Sequence, residues 1–204
     1  MVICVTNRLL CKDNFLDRIE NIAKMGLCAI LLREKDLSEQ EYEKLASSCR
    51  EICLYYGTTL IIHTHIHVAR RLGISAIHLP FNQFLDNTMQ LTNFKMVGVS
   101  VHTVEESVQA QSHGANYLIA GHIFPTDCKR GLVPRGLTFL KNICDKVSIP
   151  VFAIGGITAD RLTGVLKSGA AGCCVMSQLM TCDNPEYICC LLKEKFNFNS
   201  HLRQ

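Results

Sequence analysis

Short apolar runs rich in β-branched residues alternate along the chain with longer segments in which apolar positions recur at helical spacing. The runs are "VICVT" (2–6), "CAILLR" (28–33), "TLIIH" (59–63), "AIHL" (76–79), "MVGVS" (96–100), "YLIAG" (117–121), "VFAIG" (151–155) and "CCVMS" (173–177). They are apolar at consecutive positions, as in strands buried on both faces of a parallel sheet covered by helices. Between them, stretches such as "NFLDRIENIAKMG", "SEQEYEKLASSCREICLYYG", "TVEESVQAQSHG" and "TADRLTGVLKSG" read as helices. Several open on Ser or Thr and close on Gly, the residues that cap helix ends. Eight such units predict an α/β fold, a (β/α)8 TIM barrel filling residues 1–204 as a single domain. A doubly wound open sheet shares the alternation. The repeated helix–Gly–Ala–strand junctions "KSGAAG" and "SHGANY" suit the barrel better.

Composition narrows the class. The 204 residues are 48% hydrophobic and 19% charged, with no biased tract or linker, which marks a globular chain. The net charge is +3 with Lys and Arg scattered. Without a basic face or a helix-turn-helix pattern, nucleic acid is not an expected partner. The apolar runs fall well short of the roughly 20 residues of a membrane span, so no membrane association is expected. The opening "MVICVT" reads as a strand rather than a targeting segment. Twelve cysteines, among them Cys4, Cys28, Cys53, Cys173, Cys174, Cys189 and Cys190 in apolar segments, read as reduced core residues of a cytoplasmic protein. No C-x-x-C pair is present, so a thiolate zinc site is not expected. The terminal "EKFNFNSHLRQ" is expected to finish the last helix and then fray.

In a barrel the chemistry lies at the C-terminal ends of the strands. Reading only those ends gives Arg33 and Lys35, His63, Ser100 and His102, His122 and Lys129, Gly155 and Gly156, and Ser177. Paired glycines before a helix let backbone N–H groups approach a phosphate; the same pair also makes a tight turn. Arg33 and Lys35, two apart, share a side if the strand continues and suit a carboxylate or phosphate. Beside Glu34 and Asp36 they also read as a solvated charge run. "HTHIH" places His63, His65 and His67 at alternate positions, which suits a metal. The expected passage from strand to helix breaks that period, and no carboxylate stands among the three, so a polar loop and helix start is the plainer reading. His78 reads as a core or rim histidine. His122 follows a glycine at a strand end and precedes a polar loop, where an imidazole can give and take a proton near neutral pH.

Three ordered motifs carry a resemblance over nearly the whole chain: "LLREKDLS", "GVSVHTVEESVQAQSHGANYLIAGHIFPTDCKRG" and "IPVFAIGGITADRLTGVLKSGAAGCCVMS". The chain resembles the thiamine-phosphate synthase/TenI superfamily of (β/α)8 barrels. The synthases join a pyrimidine pyrophosphate to a thiazole phosphate with Mg2+. Their "IIND" and "HLGQED" motifs each supply a metal-binding Asp. This chain has "IIHTH" and "HLPFNQ", so His63 and Thr64, and Asn82 with Gln83, stand where a hard cation needs carboxylates. The segment "GHIFPTDCKRG", with His122 where synthases have Pro, and Arg135 in "GLVPRG" look instead like the TenI thiazole tautomerase branch.

That resemblance implies a metal-free and cofactor-free isomerisation of a carboxythiazole phosphate tautomer to the aromatic thiazole phosphate carboxylate, with His122 moving the proton. It places the phosphate on backbone N–H groups near Gly156 and Ser177. Arg33, Lys35 and Lys129 are assigned to the substrate's anionic groups. The expected substrate-binding set is Arg33, Lys35, Ser100, Lys129, Gly155, Gly156, Met176 and Ser177, with His122 catalytic and no metal ligand. The expected partner is a small-molecule thiazole phosphate, with a homo-oligomer possible. A synthase with altered metal handling, revealed by Mg2+-dependent pyrophosphate release, is the alternative. So is a regulatory barrel that binds a thiazole phosphate and leaves it unchanged.

Overall fold

A computed structural model describes residues 1–27 and 29–201. Among these residues the chain forms eight strands: β1 (Val2–Val5), β2 (Ala29–Leu32), β3 (Thr59–His63), β4 (Ala76–Pro80), β5 (Met96–Val101), β6 (Tyr117–Gly121), β7 (Val151–Ile154) and β8 (Gly172–Val175). Each runs parallel to its neighbours, and β1 closes on β8, with Ile3 opposite both Ala29 and Cys174. This is the closed (β/α)8 barrel expected from the alternation, not the open sheet. The helices around it are α1 (Phe15–Lys24), α2 (Glu39–Tyr55), α3 (Ile66–Arg71), α4 (Phe81–Asp86), α5 (Val104–Ser112), α6 (Gly136–Cys144), α7 (Ala159–Lys167), α8 (Ser177–Thr181) and α9 (Pro185–His201).

Closure explains why the strands are apolar on both faces. Ile3, Val5, Ala29, Leu31, Ile61, Ala76, Tyr117, Ile119, Phe152 and Cys174 fill the barrel. Their chain neighbours, such as Cys4, Ile30, Leu32, Ile62, Ile77 and Leu118, pack outward beneath the helices. Each buried Leu or Ile contributes about 1.5–3 kcal/mol. The interior accommodates one large ring by giving up a side chain: a Cβ on Gly98 would lie 2.0 Å from Cζ of Tyr117. That ring meets Phe152 edge-on with centroids 5.7 Å apart.

The helix ends follow the expected chemistry. Ser38 and Glu41 form a reciprocal capping box at the start of α2, and the Thr103 side chain accepts from Glu106 N–H at the start of α5. After α5 and α7 the chain turns through Gly114 (φ +94°) and Gly169 (φ +93°), conformations that cost a side chain-bearing residue steric strain.

Some expectations shift. Cys28 lies outside the described residues, as do residues 202–204 of the terminal segment. Cys4, Cys53, Cys173, Cys174 and Cys189 are buried, but Cys190, about 100° further round α9 than Cys189, falls on the outer face of the same turn and is exposed. The terminal segment finishes the last helix, α9, as far as His201, and a short helix, α8, precedes it. No helix among the described residues is long and apolar enough to cross a membrane.

Candidate active site at the mouth of the barrel

The inward period of two continues past the apolar layer and brings polar side chains to the C-terminal end. Above Leu31 comes Arg33, above Ile61 His63, above Ala76 His78, and above Gly98 Ser100. These side chains, with Val5, His102, Ile119, Gly121 and Ile154, line a small cavity of about 80 Å3.

The floor of the mouth is a histidine network. His78 is fully buried, with Nδ1 3.2 Å from the Tyr117 hydroxyl and Nε2 2.7 Å from Ser100 Oγ. Its ring stacks near His63, centroids 6.2 Å apart. Burial pushes the His78 imidazole down to about 3. Burial also pushes His63 down to about 2, reinforced by His78, Arg33, Lys35 and His65. Both rings are therefore neutral at physiological pH and serve as hydrogen-bonding groups rather than cations.

Above the floor the field is positive. Lys35 is held below the usual lysine range, first by the charge of Arg33, then by burial and by Lys129. Three cations from the loops after β2 and β6 thus share one region, and their mutual repulsion is relieved by an anion. The acidic neighbours in "LLREKDLS" do not neutralise them. Glu34 points away and is buried, accepting from Thr6 Oγ1 at 2.6 Å and from the Arg8 backbone N–H at 3.0 Å. Asp36 pairs with Arg8 at 2.6 Å. Thr6 Oγ1 in turn accepts from Arg33 N–H at 2.9 Å, so the buried acid fixes the backbone that carries the half-buried cation. The solvated charge run is a mouth cation backed by an anchored carboxylate.

His122 follows β6 directly. It is half-buried, with its backbone carbonyl accepting from Arg135 N–H at 3.0 Å and its Nε2 3.4 Å from the Leu132 carbonyl oxygen. The Gly121 carbonyl just before it lies 3.1 Å from His102 Nδ1. Gly155 packs against it, and Gly156 packs against Phe124 and the Pro125 carbonyl. Both glycines have positive φ, +98° and +63°, so the pair is a tight turn and a close backbone approach at once. The first turns of α7 and α8 leave N–H groups without intrahelical acceptors beside this turn. Met176 and Ser177 lead from β8 into α8, Met176 half-buried and Ser177 exposed. Lys129 ends an exposed 3₁₀ turn, Asp127–Lys129.

The three histidines of "HTHIH" diverge. Thr64 at φ +64° breaks the strand; His63 faces the cavity, His65 stacks on Tyr42 at 4.0 Å and His67 is exposed. Among the described residues no three His, Cys, Asp or Glu side chains are arranged to hold a metal ion. The Mg2+ that the resemblance associates with synthases does not fit the donors here. The ends of β3 and β4 present His63, Thr64, Asn82 and Gln83, with cations alongside and no carboxylate. The strand ends offered His63, but the expected substrate-binding set left it out and the strand-end reading passed over His78 and Tyr117; extending the inward period of two from Ile61, Ala76 and Ile119 finds all three.

Comparison with known proteins agrees with this architecture. Residues 2–179 match the family model described as thiamine monophosphate synthase. The chain is 33% identical over 176 residues to thiamine-phosphate synthase 2 of Streptococcus pneumoniae, covering 85% of this chain and 84% of that one. It is 34% identical over 184 residues to a thiamine-phosphate synthase of Clostridium botulinum, covering 88% and 90%. The solved thiamine phosphate pyrophosphorylase from Pyrococcus furiosus superposes with a TM-score of 0.84 at 26% identity, over 97% of this chain and 96% of that one.

Proposed function

Because the chain belongs to the thiamine-phosphate synthase/TenI family of thiamine biosynthesis, we propose that it acts on a thiazole phosphate as a tautomerase, isomerising a carboxythiazole phosphate to its aromatic form. The observation that carries this reading is the donor set of the mouth. Where the synthases that the chain resembles carry metal-binding carboxylates, it has Thr64 and the Asn82–Gln83 pair, while Arg33 lines a histidine-lined cavity and its charge, with that of Lys129, acts on Lys35.

The reaction needs no group beyond those in the chain. A proton leaves the ring carbon bearing the carboxylate, the ring double bonds shift, and a proton returns to the exocyclic carbon. The His122 imidazole takes the first proton and returns one, so the ring ends as it began. Arg33, Lys35 and Lys129 pair with the substrate carboxylate and phosphate by charge-assisted hydrogen bonds. Backbone N–H groups at Gly155, Gly156, Met176 and Ser177 seat the phosphate. Ser100, fixed by His78 at 2.7 Å, presents a hydroxyl to the ring. The two neutral histidines beneath, His63 and His78, add no charge to compete with the cations for the anionic substrate.

Purified protein incubated with the carboxythiazole phosphate tautomer, without metal, is expected to raise the aromatic thiazole absorbance well above the uncatalysed rate. A second reading, the synthase reaction, is favoured by the printed names of the relatives. It requires pyrophosphate release from the pyrimidine pyrophosphate and thiazole phosphate together, dependent on Mg2+. Release of pyrophosphate with no tautomerisation would replace the first reading by the second.

A further inference from the structure

At the opposite end of the barrel, away from the chemistry, the end of α2 and the starts of β3 and β4 enclose a groove of about 340 Å3. Its floor is apolar, formed by Cys53, Leu60, Ile74 and Ala76, all buried residues. Its rim is polar, formed by Thr59, Ser75 and the half-buried Arg50. Gly57 and Gly73 form part of the wall, and the space where a Cβ would stand on either is open.

Arg50 distinguishes this groove from a packing gap. Other arginines are engaged: Arg8 with Glu34 and Asp36, Arg18 with Asp13, Arg71 with Glu39 and Glu43, Arg130 with Asp127, and Arg70 with the Gln90 carbonyl. Arg161 and Arg135 lie over phenylalanine rings. Among the described residues only Arg33 and Arg50 have a guanidinium with neither an acceptor nor a ring. Arg33 faces the mouth cavity, where an anion is expected. Arg50 faces a second concavity whose size and apolar lining match small-molecule sites.

We infer that this groove is a second ligand site, separate from the mouth, for a compact organic anion with an apolar body. The carboxylate or phosphate of such a ligand accepts two parallel N–H bonds from Arg50. The Thr59 and Ser75 hydroxyls lie on the same rim, and the apolar body covers Leu60 and Ile74. The groove lies at the starts of β3, which ends on His63, and of β4, which carries His78 at its middle, so an occupant touches the same two strands as the catalytic mouth.

Phenyl phosphate is the probe, followed through backbone amide NMR shifts of the 15N-labelled protein. Gly57, Gly73 and Ser75 are expected to shift with saturation below about 1 mM, on a curve independent of Gly156 and Ser177 at the mouth. Arg50→Met is expected to weaken the first set about tenfold or more and leave the second unchanged, which also shows that the variant is folded. Shifts confined to the mouth amides overturn the inference. So do groove shifts unaltered in Arg50→Met, or groove shifts that follow protein concentration without probe, which would mark a contact between copies of the chain.

Discussion

Gly155 lies so close to His122 that a Cβ on Gly155 would stand 2.4 Å from the His122 Cβ and 2.8 Å from its Cα. The two residues come from the ends of adjacent strands β6 and β7, whose pairing runs to Gly121 and Ile154. The turn after β7 therefore sets where the histidine stands.

A methyl group at this point is expected to displace His122. Gly155→Ala also places a side chain at φ +98°, a strain of about 1–3 kcal/mol. Tautomerase turnover is expected to fall at least about tenfold, with a melting temperature a few degrees lower and an unchanged far-ultraviolet dichroism spectrum. Wild-type turnover in this variant would show that the backbone contact does not position the histidine.

The neutral histidines give the fold an acid limit. His63 and His78 are pushed down to about 2 and about 3, whereas each takes a proton near pH 6.5 once unfolded. Between those limits the unfolded state binds more protons, so stability is present above pH 6.5 and is lost as the pH falls through the window. Lowering the pH from 7 to 5 is expected to cost up to ~2 kcal/mol per histidine, measured by urea unfolding. His78→Gln, which keeps a polar partner for Ser100, should shrink that dependence; an identical pH slope would mean that His78 is not held neutral in the fold.

The anchored acid behind the mouth has its own signature. Glu34 accepts from Thr6 and Arg8, and Glu34→Gln leaves an amide donor facing the donors of Arg8. The expected cost is about 3 kcal/mol, read by the same urea titration. Because Thr6 also holds the Arg33 backbone, KM for the thiazole phosphate is expected to rise more than kcat falls. A stable variant with unchanged KM would sever the link between the buried carboxylate and the mouth.

The covered parallel sheet was legible because burial on both faces marks every strand: Ile3 and Cys4, or Ile61 and Ile62, are apolar neighbours that point to opposite sides of the sheet; closure left no such mark, since an open doubly wound sheet shares the pattern. The glycine junctions were legible through Gly114 and Gly169, since the left-handed turns they make exclude most other residues. The cation set was only partly so. Arg33 and Lys35 are near in sequence, but their approach to Lys129 depends on how the loops after β2 and β6 fold over the mouth. Glu34 read as part of a surface charge run because its partners, Thr6 and Arg8, come from the loop after another strand. Cys190 read as core because a run of consecutive apolar residues, "YICCLL", does not show which face of the helix meets the core.

The account turns on His122, and turnover of the carboxythiazole phosphate tautomer by wild type and His122→Gln measures it directly. With metal excluded, the variant is expected to lose roughly 10²–10⁴-fold in kcat while the substrate still binds with nearly wild-type affinity, because the anion contacts come from other residues. Undiminished turnover in His122→Gln would contradict the account, and so would a wild-type protein that leaves the tautomer unchanged.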